Sequence, residues 1–247
     1  PHSPSVQASL EAALSRLLGR PVSVTGAGRT DTGVHAVHYV AHFDIEGVLP
    51  FEASDFIYKL NAILPHSVAV SGLSPVADKL HARFRAVRRE YTYFIHRQKD
   101  PFMGHYSWLC GYPQLDFAAM NEACRYLLGT RDFSCFEKTG GDNKTSVCTV
   151  FDAFWKPYTP SYVTVMGTPE EGEVSLAGAG EGKYWFFRIA ADRFLRNMVR
   201  ATVGTLIDVG RGKHRPEWIG ELIASGTRGD AGESVPGHAL FLNKVEY

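Results

Sequence analysis

Two segments in the first quarter of the chain repeat apolar residues at the spacing of an amphipathic helix. The first predicts a helix over about residues 5–18, because the pattern stops at the Gly19-Arg20-Pro21 break. The second predicts a helix over about residues 56–64, which ends before Pro65. The two apolar faces consist of Val6, Leu10, Ala13, Leu14 and Leu17, and of Phe56, Ile57, Leu60, Ile63 and Leu64.

Alternation of apolar and polar residues predicts strands in the first half of the chain. Val37, Tyr39, Ala41 and Phe43 alternate with less apolar residues, which predicts a strand over residues 36–43. A strand is predicted over residues 22–25 as well, so that two strands flank a glycine-rich turn. Further strands of the first half are predicted over residues 68–73 and 90–97.

The second half of the chain again mixes helices with strands. Asp116 is placed to cap a helix that runs to Gly129. Further helices are predicted over residues 194–209 and 217–224, and strands over residues 146–155, 162–166, 184–190 and 239–245. Segments rich in Gly, Glu, Thr and Ser at residues 138–146 and 167–183 are predicted to be mobile loops or a hairpin tip.

A stretch rich in proline and glycine, Asp100 to Pro113, separates the two halves. Such a composition is typical of a connection between compact units. We therefore predict two subdomains, residues 1–105 and residues 106–247, and the mixture of helices and strands in both predicts the α+β class. We see no internal sequence repeat.

The turn between the first two predicted strands carries a candidate active site. Residues 26–36 read Gly-Ala-Gly-Arg-Thr-Asp-Thr-Gly-Val-His-Ala, so that Asp31 follows Arg29 by two residues. Glycines tolerate positive φ and close backbone approach, which lets the turn present Asp31 outward. Loops held by strands often carry catalytic groups, and the alternative interpretation is an ordinary surface hairpin.

Composition narrows the class of protein without pointing to a partner. With 247 residues, 45% of them hydrophobic, the chain can bury a substantial core. The 26 basic and 26 acidic residues cancel, so any surface for nucleic acid must be local. The four cysteines lie too far apart for a paired zinc motif, and we expect buried thiols. No apolar run approaches the roughly 20 residues of a membrane span, so we expect a cytoplasmic protein.

The turn and four later segments together resemble the signature of TruA-type tRNA pseudouridine synthases. The later segments occur in the family's order: Leu80-His81-Ala82-Arg83-Phe84, Arg88-Arg89-Glu90-Tyr91-Thr92-Tyr93, Phe194 to Gly210 with its Met198-Val199-Arg200 core, and Leu240 to Tyr247. The resemblance implies two mixed α/β subdomains, largely antiparallel sheets and a central active-site cleft. Chains of the family begin with a strand and a Gly-Trp-Gln segment, which we expect to be missing here.

The resemblance assigns the chemistry to three residues. Asp31 matches the aspartate that opens the reaction, either by attacking the sugar or the base or by assisting formation of a glycal. Arg200 matches the arginine that pairs with this aspartate, and a guanidinium suits the task because it stays charged and grips a carboxylate. Tyr91 matches the tyrosine that stacks on the target uracil, and its hydroxyl or an associated water is a candidate acceptor of the C5 proton.

The resemblance also implies an RNA substrate. It points to uridines at positions 38–40 in the anticodon stem-loop of tRNA, a homodimer, and neither metal nor organic cofactor. Arg193, Arg196 and Arg200 form one basic stripe on the predicted helix, and for the first two a solvated face and contact with RNA phosphates are both open. The predicted substrate-binding residues are Arg29, Arg83, Arg88, Arg89, Tyr91, Arg193, Leu195 and Arg196, and a wider pool adds Arg85, Arg211, Lys213 and Arg215.

The same residues allow two other interpretations. Asp31-Thr32-Gly33 is the triplet of aspartic proteases, but a nearby arginine would disturb their shared proton. An RNA-binding homologue without catalysis is the other alternative. His35, His38 and His42 are close in sequence, yet on a strand His35 points away from the other two, so we do not predict a metal site. We expect His81 to be a structural hydrogen-bonding residue.

Overall fold

A computed structural model describes residues 5–140, 144–162 and 182–247. Within them the α-helices are α1 (Val6–Leu18), α2 (Ala53–Ile63), α3 (Phe117–Cys124), α4 (Met198–Gly210) and α5 (Trp218–Ser225). The strands are β1 (Thr25–Gly26), β2 (His35–Ala36), β3 (Ala41–His42), β4 (Arg88–His96), β5 (Trp108–Leu109), β6 (Gly129–Asp132), β7 (Val147–Pro157), β8 (Tyr184–Ala191) and β9 (Leu240–Glu246).

The chain forms two compact units that are not contiguous in sequence. The smaller unit contains Pro1–Arg29 and Tyr39–Ala86, and the larger contains Thr30–His38 and Val87–Tyr247. This division differs from the predicted boundary at residues 105/106. The reason is that β4 is hydrogen-bonded between β8 and β9, so it belongs with the strands of the second half.

The smaller unit is built on α1, α2 and the short pair β1–β3. Helix α1 begins where the Ser5 hydroxyl accepts a hydrogen bond from the Ala8 amide at 3.1 Å, and it ends at Gly19, whose φ is +68°. The apolar faces of both helices meet in a core that includes the buried Leu14 and Phe56. The predictions of both helices are confirmed.

The predicted strands of the smaller unit are mostly wrong. Regular strand is limited to two residues in each of β1 and β3, and residues 68–73 form no strand. The side-chain amide of Asn61 explains why residues 68–73 form no strand. It donates to the Val70 carbonyl at 2.8 Å and accepts from the Val70 amide at 2.7 Å, so a side chain replaces the bonds of a neighbouring strand.

The larger unit is organised by a seven-stranded sheet in the order β2-β9-β4-β8-β7-β6, with β5 paired to β4. Pairing is antiparallel except at β2–β9 and β4–β5. Helix α4 packs on α3, and α3 packs on β7. Tyr93, Phe187 and Leu206 are among the buried residues between sheet and helices. The mixed, mainly antiparallel arrangement confirms the α+β prediction.

Helix α4 starts four residues later than the pattern predicts. Phe194 and Leu195 continue the apolar spacing, but Asn197 has a φ of +64° and stands at the helix start. A residue in the left-handed region cannot continue a right-handed helix. The predicted basic stripe is therefore wrong, because Arg193 and Arg196 lie on the loop before α4 while Arg200 lies within it.

Most other elements of the larger unit follow the predictions closely. Helix α3 is shorter than predicted: it ends at Cys124 rather than at Gly129, because a 3₁₀ turn (Arg125–Leu127) follows and strand β6 begins at Gly129. Asp116 caps α3, where its carboxylate accepts from the Ala119 amide at 2.9 Å. The helix over 217–224 and the strands over 90–97, 146–155, 184–190 and 239–245 are present within one or two residues. The short strands β5 and β6 were not predicted. The predicted strand 162–166 and loop 167–183 lie almost wholly outside the described residues, as does part of the loop 138–146.

Buried thiols are present as predicted. All four cysteines are buried and free. Burial raises the pKa of the Cys110 thiol to about 11 and that of Cys148 to about 12. In the described part of the chain, none of the helices combines the length and apolar character that crossing a membrane requires.

Gly204 on α4 allows the segment around Glu233 to lie directly against the helix. A Cβ at this position would lie 1.8 Å from the Glu233 carbonyl oxygen. We expect Gly204→Ala to lower the free energy of unfolding by about 2–3 kcal/mol in urea denaturation, although alanine gains about 1 kcal/mol in helix propensity. Gly111→Ala is the control, since no atom lies within 4 Å of its added Cβ. Equal effects in the two variants would contradict this packing.

Candidate active site

The loop that carries Asp31 is held by the larger unit. Gly33 has a φ of +81°, and the Val34 amide closes the turn by donating to the Asp31 carbonyl at 3.1 Å. Gly237 lies against the loop so closely that a Cβ there would be 2.6 Å from the Thr32 carbonyl oxygen. Strand β2 then pairs with β9 in parallel. Contacts from the end of the chain thus fix the position of Asp31.

Arg200 meets Asp31 across 169 residues of sequence. Its Nη1 donates to Asp31 Oδ2 at 2.9 Å, and its Nε donates to the Val235 carbonyl at 2.7 Å. The side chains are 22% and 29% exposed respectively, so both remain reachable from solvent. The predicted contact between Asp31 and Arg200 is confirmed, whereas their catalytic roles stay predictions. The guanidinium is fixed at two edges, which orients it toward the carboxylate.

A cleft of about 670 Å³ opens beside this ion pair. It is lined by Asp31, Thr32, Lys138, Arg196, Asn197, Arg200, Arg228, Gly229 and Ser234. Four of these side chains are cations and one is a carboxylate, so the cleft carries an excess of positive charge. Phosphate groups are the anions that such clustered arginines and lysines bind well.

The lining residues that sequence reasoning missed are Lys138, Asn197, Arg228, Gly229 and Ser234. Arg228 donates from Nη2 to the Ser234 hydroxyl at 2.8 Å. Lys138 is exposed, and its amide donates to the Arg196 carbonyl at 3.0 Å. Single basic residues in turns follow no sequence pattern, so nothing in the sequence distinguished Lys138 or Arg228 from an ordinary solvated charge.

Tyr91 lies on β4 and is half buried. Its ring meets the ring of Phe194 edge to face, with centroids 5.1 Å apart. Tyr91 is not one of the described residues that line the cleft. Neighbouring Tyr93 is fully buried and donates to the Pro236 carbonyl at 2.9 Å, as expected of a structural tyrosine. Burial raises the pKa of Tyr93, so its hydroxyl stays neutral.

The other predicted substrate-binding residues are spread over both units. In the larger unit, Arg196 lines the cleft and donates to the Thr139 carbonyl at 3.3 Å. Arg89 donates to the Asp192 carbonyl at 2.7 Å, and Arg88 is 3.7 Å from Glu90. Arg193 is half buried beside Asp192, and Leu195 is buried in the core. Arg29 and Arg83 belong to the smaller unit.

The candidate histidines have structural partners. His42 accepts a hydrogen bond from the Ala82 amide at 3.1 Å, and His38 accepts from the Val245 amide at 3.3 Å. His81 accepts from the Arg83 amide at 3.1 Å, in the structural role expected of it. In the described ranges, no group of three or more His, Cys, Asp or Glu residues is arranged to hold a metal ion.

The basic cleft beside the Asp31–Arg200 pair suits a substrate that carries phosphate groups, as a nucleic acid does. The Asp-Thr-Gly triplet gains no support as a protease motif, because Asp31 is bound by an arginine and proteases of that class need a shared-proton carboxylate pair. Comparison with known proteins agrees with a nucleic-acid substrate. A family model described as tRNA pseudouridine synthase matches residues 123–247.

Relatives extend this match to the whole chain. A protein of Porphyromonas gingivalis named tRNA pseudouridine synthase A is 43% identical over 247 residues, which cover 100% of this chain and 89% of the relative. Proteins of the same name from Bacteroides thetaiotaomicron and Maridesulfovibrio salexigens are 44% and 35% identical, over 100% and 98% of this chain and 83% and 82% of their own lengths. The chain belongs to the tRNA pseudouridine synthase family.

Proposed function

We propose that the protein converts uridine to pseudouridine in tRNA, with Asp31 as the catalytic carboxylate. The observation that carries the proposal is the 2.9 Å contact between Asp31 and Arg200 at the edge of a basic cleft. Family membership supplies the reaction class, which is an isomerisation. The cleft supplies the charge that an RNA backbone requires.

The reaction breaks the bond from ribose C1′ to N1 of uracil and forms a bond from C1′ to C5. The C5 proton leaves to solvent and N1 gains a proton, so there is no net oxidation or hydrolysis. Asp31 opens the sequence as a nucleophile or as a base, which requires the ionised carboxylate. Arg200 orients this carboxylate, because its Nη1 donates a charge-assisted hydrogen bond to Asp31 Oδ2 at 2.9 Å.

Substrate binding is proposed to rely on stacking and on phosphate contacts. Tyr91 stacks on the target uracil, a contact worth about 1–3 kcal/mol per base. Extruding a base from a stem costs a few kcal/mol, so the basic residues must contribute too. Arg196 and Lys138 are suited to the phosphates next to the target because they line the cleft. The other members of the proposed substrate-binding set are Arg29, Arg83, Arg88, Arg89, Arg193 and Leu195.

The choice of uridines within tRNA and the oligomeric state of the protein are proposals too. Backbone and shape recognition would let one site accept neighbouring uridines of the anticodon stem-loop. We propose that the protein works as a cytoplasmic homodimer without metal or organic cofactor. Mapping pseudouridines in tRNA treated with the protein tests the first point, and the mass of the protein in solution, alone and with tRNA, tests the assembly.

Tritium release from tRNA that carries uridine labelled at C5 tests the proposed reaction. The unmutated chain should release label in step with the appearance of pseudouridine. Binding of tRNA that is tight and sensitive to salt, without release of label, would instead identify an RNA-binding homologue and overturn the enzymatic proposal.

Lys138 offers a test of the phosphate contacts. We expect Lys138→Gln to reduce the salt dependence of tRNA binding by about one unit of slope in log Kd against log salt, because one phosphate contact is lost. The rate at saturating tRNA should change by less than about twofold. Lys156→Gln is the control, because Lys156 is exposed on β7 and lies over the Phe154 ring rather than in the cleft. An unchanged slope for Lys138→Gln would remove this residue from the RNA surface.

A further inference from the structure

We propose that Arg228 is a positioning residue for this reaction, which it serves by bracing the segment that holds Arg200. The inference rests on the function proposed above. The segment comprises residues 231–235 and is called the bracing segment here. Arg228 lies just before it, Arg200 is bound to its far end, and both arginines line the cleft.

The guanidinium of Arg228 ties together the first part of the bracing segment. Its Nη1 donates to the Gly232 carbonyl at 3.0 Å and to the Ala231 carbonyl at 3.4 Å, and its Nη2 donates to the Ser234 hydroxyl at 2.8 Å. A planar guanidinium with donors on both terminal nitrogens sets the relative positions of its three acceptors. These contacts make Arg228 a cross-link within its own loop.

The far end of the bracing segment holds Arg200 by main chain and side chain. The Val235 carbonyl accepts from Arg200 Nε at 2.7 Å, and the Val235 amide donates to the Arg200 carbonyl at 3.3 Å. Ser234 also accepts a hydrogen bond from the side-chain amide of Asn197. Any displacement of Ser234 or Val235 therefore reaches the guanidinium that faces Asp31.

Asn197 supplies an independent indication that this region is under constraint. It is the one non-glycine residue with positive φ among those that the structure describes. Such a conformation persists where surrounding contacts determine it, and it is found preferentially at functional sites. Here the contact is the bond from the Asn197 side chain to Ser234, the same hydroxyl that Arg228 holds.

The bracing segment is seated on α4 at a further point. The Gly232 amide donates to the Thr205 hydroxyl at 2.9 Å, and that hydroxyl donates to the Ala201 carbonyl at 2.8 Å. A Cβ on Gly232 would lie 2.7 Å from the Gly204 carbonyl carbon, so the two backbones are in direct contact. Thr205 thus anchors the buried side of the segment while Arg228 holds the side at the cleft.

The test is Arg228→Met, which keeps most of the apolar stem and removes the donors. We expect kcat for label release to fall about 10- to 100-fold, the loss typical of a small misplacement at a reacting centre, with KM for tRNA within about twofold. In the Arg200→Met background the same change should have little further effect, because Arg228 acts through Arg200. Arg131→Met is the control: Arg131 donates to the Leu128 carbonyl at 3.2 Å and does not line the cleft.

Three outcomes would overturn the inference. A raised KM with unchanged kcat, accompanied by a weaker salt dependence, would make Arg228 a direct phosphate ligand. An equal loss in both backgrounds together with a lowered Tm would make it a residue of general stability. Amide hydrogen exchange of residues 231–235 should accelerate in Arg228→Met whether or not the unmutated chain releases label. Absence of activity in the unmutated chain would therefore refute the proposed function, and unchanged exchange would refute the bracing.

Discussion

Asp31→Asn should abolish label release while leaving the fold intact. We expect kcat to fall by at least about 10⁴-fold, because an amide is neither a nucleophile nor a base of useful strength. That loss corresponds to about 5 kcal/mol of activation free energy. The side chain is 29% exposed and asparagine has the same shape, so Tm should change little. Single-turnover label release with excess protein measures the effect without interference from product release.

A matched control for Asp31→Asn is Asp208→Asn. Asp208 is also a carboxylate bound by cations, with Lys213 at 2.7 Å and Arg211 at 3.2 Å, but it lies outside the cleft. The rate of label release by Asp208→Asn should stay within about twofold of that of the unmutated chain. Persistent label release in Asp31→Asn would show that another group opens the reaction.

Arg200→Met should produce the second largest loss. Methionine keeps part of the stem volume but removes both the bond to Asp31 and the bond to the Val235 carbonyl. Without these bonds Asp31 loses the contact that orients it, and a misplacement of about 1 Å at a reacting group costs about 100-fold in rate. We therefore expect a fall in kcat of about 100-fold. Arg200→Lys should recover part of the rate, because it keeps the charge but cannot form both bonds in one plane.

The control for Arg200→Met is Arg188→Met, another arginine in a partly exposed ion pair. Arg188 Nε is 3.5 Å from a Glu90 carboxylate oxygen within the large sheet, and the residue does not line the cleft. Rates within about twofold of the unmutated chain are expected for this variant. If Arg200→Met were equally mild, the guanidinium would have no role in the reaction.

Much of the fold was predictable where local signals were complete. Helix α1 has an apolar face, a serine cap and a terminal glycine, and strands β4, β7, β8 and β9 have long apolar patterns. The start of α4 was not predictable in this way. Phe194 and Leu195 continue the helical spacing, and the break depends on Asn197, whose side chain bonds to Ser234, 37 residues away. Local periodicity carries no information about such a contact.

The site was predictable only through resemblance. No local pattern connects Asp31 with Arg200, which are 169 residues apart, and the family motifs supplied that pairing. Motifs did not supply Lys138 or Arg228, because a single cation in a turn has meaning only once its surroundings are known. The strand prediction for residues 68–73 failed for a related reason. The apolar residues of this segment suit a strand, but the Asn61 side chain forms the hydrogen bonds of the Val70 backbone that a neighbouring strand would otherwise form.

The parallel pairing of β2 with β9 has a consequence for the timing of activity during synthesis. His35 pairs with Phe241, so the strand that follows the Asp31 turn has its neighbour more than two hundred positions later. On the ribosome, a nascent polypeptide therefore exposes the Asp31 turn long before β9, the strand that holds this region in place, has been synthesised. Competence to modify RNA should arise late and abruptly, when β9 leaves the exit tunnel and inserts between β2 and β4.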